Sequence, residues 1–90
     1  MAIDVRIPTI LRSYTDGNKV VQAKGDTLAD LIESLDADNP GIKGRLVENG
    51  SLRRFVNIYV NDEDVRFTDG LQTPIADSAS IAVIPAVAGG

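Results

Sequence analysis

The sequence predicts an α+β domain: a single mixed five-stranded sheet with one main helix packed on one face. Three observations carry this reading. Apolar residues alternate near both ends of the chain, in Ile3-Val5-Ile7 and Ile81-Val83-Pro85, with the period of half-buried strands. Between them Leu28, Leu31, Ile32 and Leu35 fall at i, i+3, i+4 and i+7, one stripe at helical period. The length of 90 residues, with 43% apolar content, supports one core and not two.

Ile3 to Ile7 is the first strand, since Asp4 and Arg6 alternate with its apolar residues. Pro8 follows, then Thr9-Ile10-Leu11-Arg12 and the run Tyr14-Thr15-Asp16-Gly17-Asn18, whose Asp-Gly pair predicts a hairpin turn. Lys19 to Ala23 returns as the second strand, its Val20-Val21 pair fitting a pleated surface. Thr27 caps the helix, Asp30 stands three residues on in capping-box position, and Asp26 adds charge that suits a helix N-terminus. Asp38-Asn39-Pro40-Gly41 stops it. From Ile42 to Arg54 the pattern allows at most one turn of helix, around Lys43 to Leu46. Phe55 to Val60 is a strand rich in aromatic and β-branched residues, Asn61 to Asp64 a turn, and Val65-Arg66-Phe67 a short strand. Leu71 to Ile75 connects, Ala76-Asp77-Ser78 turns, and Ser80 to Pro85 is the last strand, closed by a proline that has no N–H for a ladder.

The order ββαβββ fits a β-grasp fold. A ferredoxin-like domain needs a second long helix late in the chain, and Leu71 to Ala79, broken by Pro74, is too short to supply it.

Composition narrows the chemistry. The chain has no cysteine and no histidine, which removes thiol nucleophiles, disulfides, thiolate metal sites and the commonest general base. The net charge of −4 disfavours a nucleic-acid backbone and suits a basic protein partner. No apolar run approaches the roughly 20 residues of a membrane span. The first residues alternate instead of forming a secretory leader, so the expected compartment is the cytoplasm.

The segment Ala86-Val87-Ala88-Gly89-Gly90 carries no charge and no large side chain. Two glycines without Cβ atoms pass a narrow channel and adopt backbone angles closed to other residues. The expectation is a domain over 1–85 and a free carrier tail over 86–90, with the Gly90 carboxylate as the reactive group. The rival reading of Gly89-Gly90 is a frayed terminus of no function.

Other residues have bland readings. Asn61 to Asp64 carries oxygen ligands suited to a hard cation, yet these are also turn formers between two strands, and the turn is the simpler account. Arg53 and Arg54 are solvated arginines or contacts for an acidic partner, and Lys19, Lys24 and Lys43 are surface residues. Tyr14, Phe55, Tyr59 and Phe67 are expected in core and hairpin packing, because a base-stacking platform needs a basic groove. Ser13, Ser51, Ser78 and Ser80 have no base at nucleophile spacing. The expected catalytic residues, metal ligands and cofactors are none.

Three segments carry a family resemblance: Ile7 to Arg12, Arg54 to Phe67, and Ala86 to Gly90. The chain resembles the ubiquitin-like sulfur carriers of the ThiS/MoaD family, co-linearly over its whole length, and most closely their cysteine-biosynthesis branch. Residues 36–53 depart most. The resemblance implies that an E1-like (MoeB/ThiF-type) enzyme adenylates the Gly90 carboxylate with ATP and that a sulfur source then displaces AMP, leaving a thiocarboxylate. It implies Ala86, Val87, Ala88 and Gly89 as the part that threads a partner's channel, and a carrier that is monomeric when free and performs no catalysis. The implied acceptor is a PLP-dependent cysteine synthase using O-phosphoserine, with a metallopeptidase releasing cysteine. Thiamine and 2-thiosugar synthesis are further destinations. The alternatives are a ubiquitin-like binding module recognised through its sheet face, or the small subunit of molybdopterin synthase.

Overall fold

The computed structural model describes residues 2–54 and 56–85. The first strand, β1 (Ile3–Arg6), buries Ile3 and Val5 and turns Asp4 and Arg6 outward, as its alternation requires. It pairs antiparallel with β2 (Val20–Ala23), with Val5 opposite Val21. The connection between them differs from a tight hairpin. Pro8, at φ −69°, starts a 3-10 helix over Thr9–Tyr14 that buries Leu11. The Asp16-Gly17 pair does reverse the chain, both residues at positive φ, but at the far side of this loop. Thr15, 2% exposed, holds the loop by donating from Oγ1 to the Asn18 carbonyl at 2.9 Å.

Helix α1 (Leu28–Asp38) follows its pattern closely. The backbone N–H of Asp30 donates to Thr27 Oγ1 at 3.3 Å, satisfying one of the orphan donors of the first turn. Leu28, Leu31, Ile32 and Leu35 are each 1% exposed or less, and burying each contributes about 2 kcal/mol of transfer free energy. They pack on Ile3, Val5, Ala23, Ile58, Ile81 and Val83 in one core. The seat of the helix depends on Gly25, where an added Cβ would lie 2.3 Å from the Leu31 nitrogen. Asn39 caps the C-terminus and Gly41 turns the chain at φ +98°.

The turn α2 (Lys43–Leu46) is where the sequence placed it. Beyond it the sequence reading missed a small antiparallel hairpin, β3 (Val47–Glu48) with β4 (Ser51–Leu52). Its two-residue link is Asn49-Gly50, both at positive φ. That pair is the hairpin dipeptide whose twist matches the flanking strands, and it is the signal that would have found the element.

Strand β5 (Val56–Val60) buries Val56 and Ile58, and Asn61 and Asp62, both at positive φ, turn it into β6 (Glu63–Asp64). The short strand expected at Val65 to Phe67 is instead a 3-10 turn, and the paired residues lie just before it. Asp64 explains the change. Its side chain accepts from the Arg66 N–H at 2.9 Å, a local bond that competes with extending the ladder. Val65 is buried, whereas Phe67 is 86% exposed, so the expected core placement of Phe67 is wrong.

A further 3-10 turn over Gly70–Gln72 leads to an isolated bridge between Pro74 and Thr27. The last strand, β7 (Ser80–Pro85), has the predicted bounds. The sheet order is β2-β1-β7-β5-β6, with β1 and β7 parallel at the centre and every other pair antiparallel. This is a β-grasp: five strands, mixed, with one main helix on one face.

Candidate functional site

The expected reactive residue Gly90 and the tail residues Ala86, Val87, Ala88 and Gly89 lie outside the described residues, as does Phe55. What the structure describes is the place from which they depart. Because β7 runs parallel to β1, its last residues reach the end of the sheet at which β1 enters Pro8. There Pro85 stands opposite Val56 in the β5 ladder.

Two clefts flank this end. The first lies on the α1 side, with Pro8, Leu11, Val56 and Val83 among its apolar walls and Arg45, Arg53 and Arg54 around it. Its volume is about 260 Å³, room for a side chain or two but below the roughly 300–1,000 Å³ of small-molecule sites. Ile10, at its rim, is 66% exposed. The second cleft lies on the outer side, where Arg6, Arg12 and Lys19 stand beside Val20 and Ile84. Val20 and Ile84 are close to half exposed, so the sheet face away from α1 presents apolar surface.

One arginine of the first cleft is held by the backbone. Arg53 Nε donates to the Gly44 carbonyl at 2.8 Å, and its guanidinium stands 3.6 Å from Glu48. Arg66 fastens the strand entrance from below: its Nη2 lies 2.6 Å from the carbonyl oxygens of Arg53 and Val56 and 3.3 Å from that of Arg54. Sequence reasoning treated Arg53 and Arg54 as a pair and did not find Arg66. Twelve or thirteen positions separate it from them, and no periodicity links such distances.

The remaining candidates resolve structurally. The reversal expected over Asn61 to Asp64 is confined to Asn61-Asp62, since Glu63 and Asp64 already pair in β6. Asn61 ties it to β7 by accepting from the Ser80 N–H at 3.0 Å while donating its own N–H to the Ser80 carbonyl at 2.9 Å. No cluster of three metal-ligating side chains occurs among the described residues. Tyr14 packs on the core, in keeping with the sequence reading, and Tyr59 is half-buried on the sheet. Lys19 and Lys24 are exposed, and Lys43 pairs with Glu33. No described helix is long and apolar enough to cross a membrane.

A β-grasp domain whose last central strand leads directly into an uncharged Gly-Gly segment is the architecture of the ubiquitin-like carriers. The chain belongs to the ThiS family, whose model matches residues 5–90. It is 57% identical to the sulfur carrier protein CysO of Mycobacterium tuberculosis over an alignment that covers all of both chains. A small archaeal modifier protein, number 3 of Haloferax volcanii, is 39% identical, again with both chains fully covered. Among solved structures, that of the Amycolatopsis orientalis BexX/CysO complex contains a chain that superposes with a TM-score of 0.94 at 50% identity, covering 99% of this chain and all of the other. These similarities bear out the family and, within it, the likeness to the CysO carriers. The matched relatives named CysO are sulfur carriers, protein-borne donors rather than enzymes.

Proposed function

We propose that the chain is a sulfur carrier in which residues 1–85 are the recognised domain and residues 86–90 the carrier tail. The observation that carries this reading is the position of β7: a central strand, paired on both sides, ends at Pro85 with five small or apolar residues still to follow. Five residues extend at most about 17 Å. That is enough to enter an active site while the recipient touches the end of the sheet.

The chemistry assigned to Gly90 balances without any residue of the carrier acting as acid or base. A carboxylate oxygen of Gly90 attacks the α-phosphorus of ATP on an E1-like enzyme of MoeB/ThiF type, and pyrophosphate leaves. A sulfur donor then adds to the acyl carbonyl and AMP leaves, so that sulfur replaces one oxygen. Adenylation is needed because a carboxylate repels nucleophiles and has no good leaving group. The thiocarboxylate sulfur adds to the β-carbon of the aminoacrylate that a PLP enzyme forms from O-phosphoserine, giving a thioester. The product's amine then displaces that sulfur from the Gly90 carbonyl, and a metallopeptidase hydrolyses the resulting Gly90–cysteine amide to free cysteine and restore the carboxylate. The similarity to CysO favours this route over thiamine, 2-thiosugar or molybdopterin synthesis. A reaction that draws on ATP fits the cytoplasmic compartment expected from the sequence.

A second reading draws on the archaeal modifier relative: a lysine amine, in place of sulfide, attacks the acyl-adenylate and the carrier becomes joined to a protein. One experiment separates the two. Purified chain is incubated with ATP, a sulfide source and an E1-like enzyme from the same cells, and intact and fragment masses are read. The carrier reading expects an oxygen-to-sulfur exchange confined to Gly90, and its loss on deletion of Gly90 with the thermal midpoint unchanged. Oxidation of Met1, the single methionine, gives nearly the same mass, so the fragment position decides. A truncated chain that loads normally would overturn the reading. Branched lysine peptides from a cell lysate, without thiocarboxylate, would favour the second.

A further inference from the structure

The net charge of −4 hides a segregation of charge. Of nine lysines and arginines, Arg45, Arg53 and Arg54 line the cleft on the α1 side of the β7 exit, and Arg6, Arg12 and Lys19 line the one on the outer side. Of thirteen acidic residues only Glu48 lines either cleft, and it already faces Arg53. Among the described residues neither Arg45 nor Arg54 pairs with a carboxylate. At the opposite end, where β7 begins, Asp4 and Asp77 border a shallow hollow that no lysine or arginine lines. A molecule acidic in sum is therefore basic at the end from which its tail departs.

We propose that this basic end is a docking surface for an acidic segment bearing apolar side chains, presented by the protein that receives the tail. The inference rests on the carrier reading above and reverses the basic partner expected from net charge. Three features select this occupant. The unpaired guanidinium groups call for carboxylates, and complementary charge governs encounter rate and orientation. The floor of Pro8, Leu11, Val56 and Val83 calls for a leucine-sized side chain, since the cleft is too small for a nucleotide. The short tail brings the recipient's surface against this end and no other. A nucleic acid fits less well, because the remaining surface repels a polyanion and no described aromatic lines either cleft.

The test uses the full 15N-labelled chain and the synthetic peptide acetyl-Glu-Leu-Asp-Leu-Glu-amide. Amide shifts are expected at Arg45, Arg53, Arg54 and Val83 but not around Asp77, weakening severalfold between about 50 and about 300 mM salt as screening shortens. The double variant Arg45→Glu/Arg54→Glu, at two exposed positions, should bind about tenfold more weakly with its thermal midpoint kept. Glu63→Lys/Asp77→Lys, at the other end, should bind as the parent does. With the E1-like enzyme, the first variant should raise KM for the carrier about tenfold at constant kcat. Equal KM for both variants, no peptide shifts, or shifts produced by a single-stranded oligonucleotide and not by the peptide would each overturn the proposal. Failure of the parent chain to load while the peptide shifts persist counts against the carrier reading instead.

Discussion

Helix α1 and the segment 42–54 both bury leucine and isoleucine against the same sheet, yet one is written in the sequence as a pattern and the other is not. In α1 four apolar residues repeat at one period and a threonine caps the start, so local propensity and tertiary burial agree. In 42–54 only Ile42 and Leu46 are fully buried, and the segment is tied by individual bonds: Leu46 accepts from the Arg53 N–H within it, Asp36 accepts from the Lys43 N–H, and Arg66 clasps the carbonyls at the entrance of β5. The difference separates two kinds of support: the patterned part is held by its apolar stripe, and the part fixed by contacts carries Arg45, Arg53 and Arg54 at the end of the sheet where β7 finishes.

That comparison breaks first at Gly25. Its backbone meets α1 so closely that a Cβ would fall 2.3 Å from the Leu31 nitrogen and 2.8 Å from the Asp30 carbonyl carbon. Gly25→Ala must push the helix off the sheet or bend the chain between β2 and α1, with an expected loss of about 3 kcal/mol, read by urea denaturation. A loss under about 0.5 kcal/mol would mean that α1 is not rigidly seated and that its pattern alone holds it.

Arg66 sharpens the other side. Arg66→Ala removes a charged donor from three carbonyls, and the expected cost is about 1.5 kcal/mol, typical of bonds to a charged group at a partly exposed site. The amide shifts should concentrate in residues 52–57 and leave α1 untouched. Shifts spread evenly over the molecule, or no change in stability, would mean that the arginine cleft is organised without Arg66.

Most of the fold was legible, and the reasons for the misses are local. The bounds of β7 and the extent of α1 follow from apolar period, and the stop at Asn39-Pro40-Gly41 follows from backbone chemistry. The 3-10 helix after Pro8 has no signature in the sequence because a single buried residue, Leu11, makes no period. The β3–β4 hairpin was announced by Asn49-Gly50, but flanks of two residues each are too short to show alternation. The six basic residues around the two clefts were not legible as a group, because they come from separate stretches that only the fold brings to one end.

Phe67 gives the smallest expected effect and the cleanest division between pattern and contact. By pattern it belongs with Val65 on the inner side of a strand, and as a buried aromatic its loss would cost about 3 kcal/mol or more. By contact it lies on the outside of a 3-10 turn that Asp64 starts, 86% exposed, while Val65 alone turns inward. Phe67→Ser should therefore change stability by no more than about 0.5 kcal/mol, and Val65→Ala by about 2 kcal/mol in the same urea titration. If Phe67→Ser proved the more damaging of the two, the strand reading would be right and β6 would extend through it. With the expected result, the local bond between Asp64 and the Arg66 N–H outweighs the apolar alternation at this edge of the sheet.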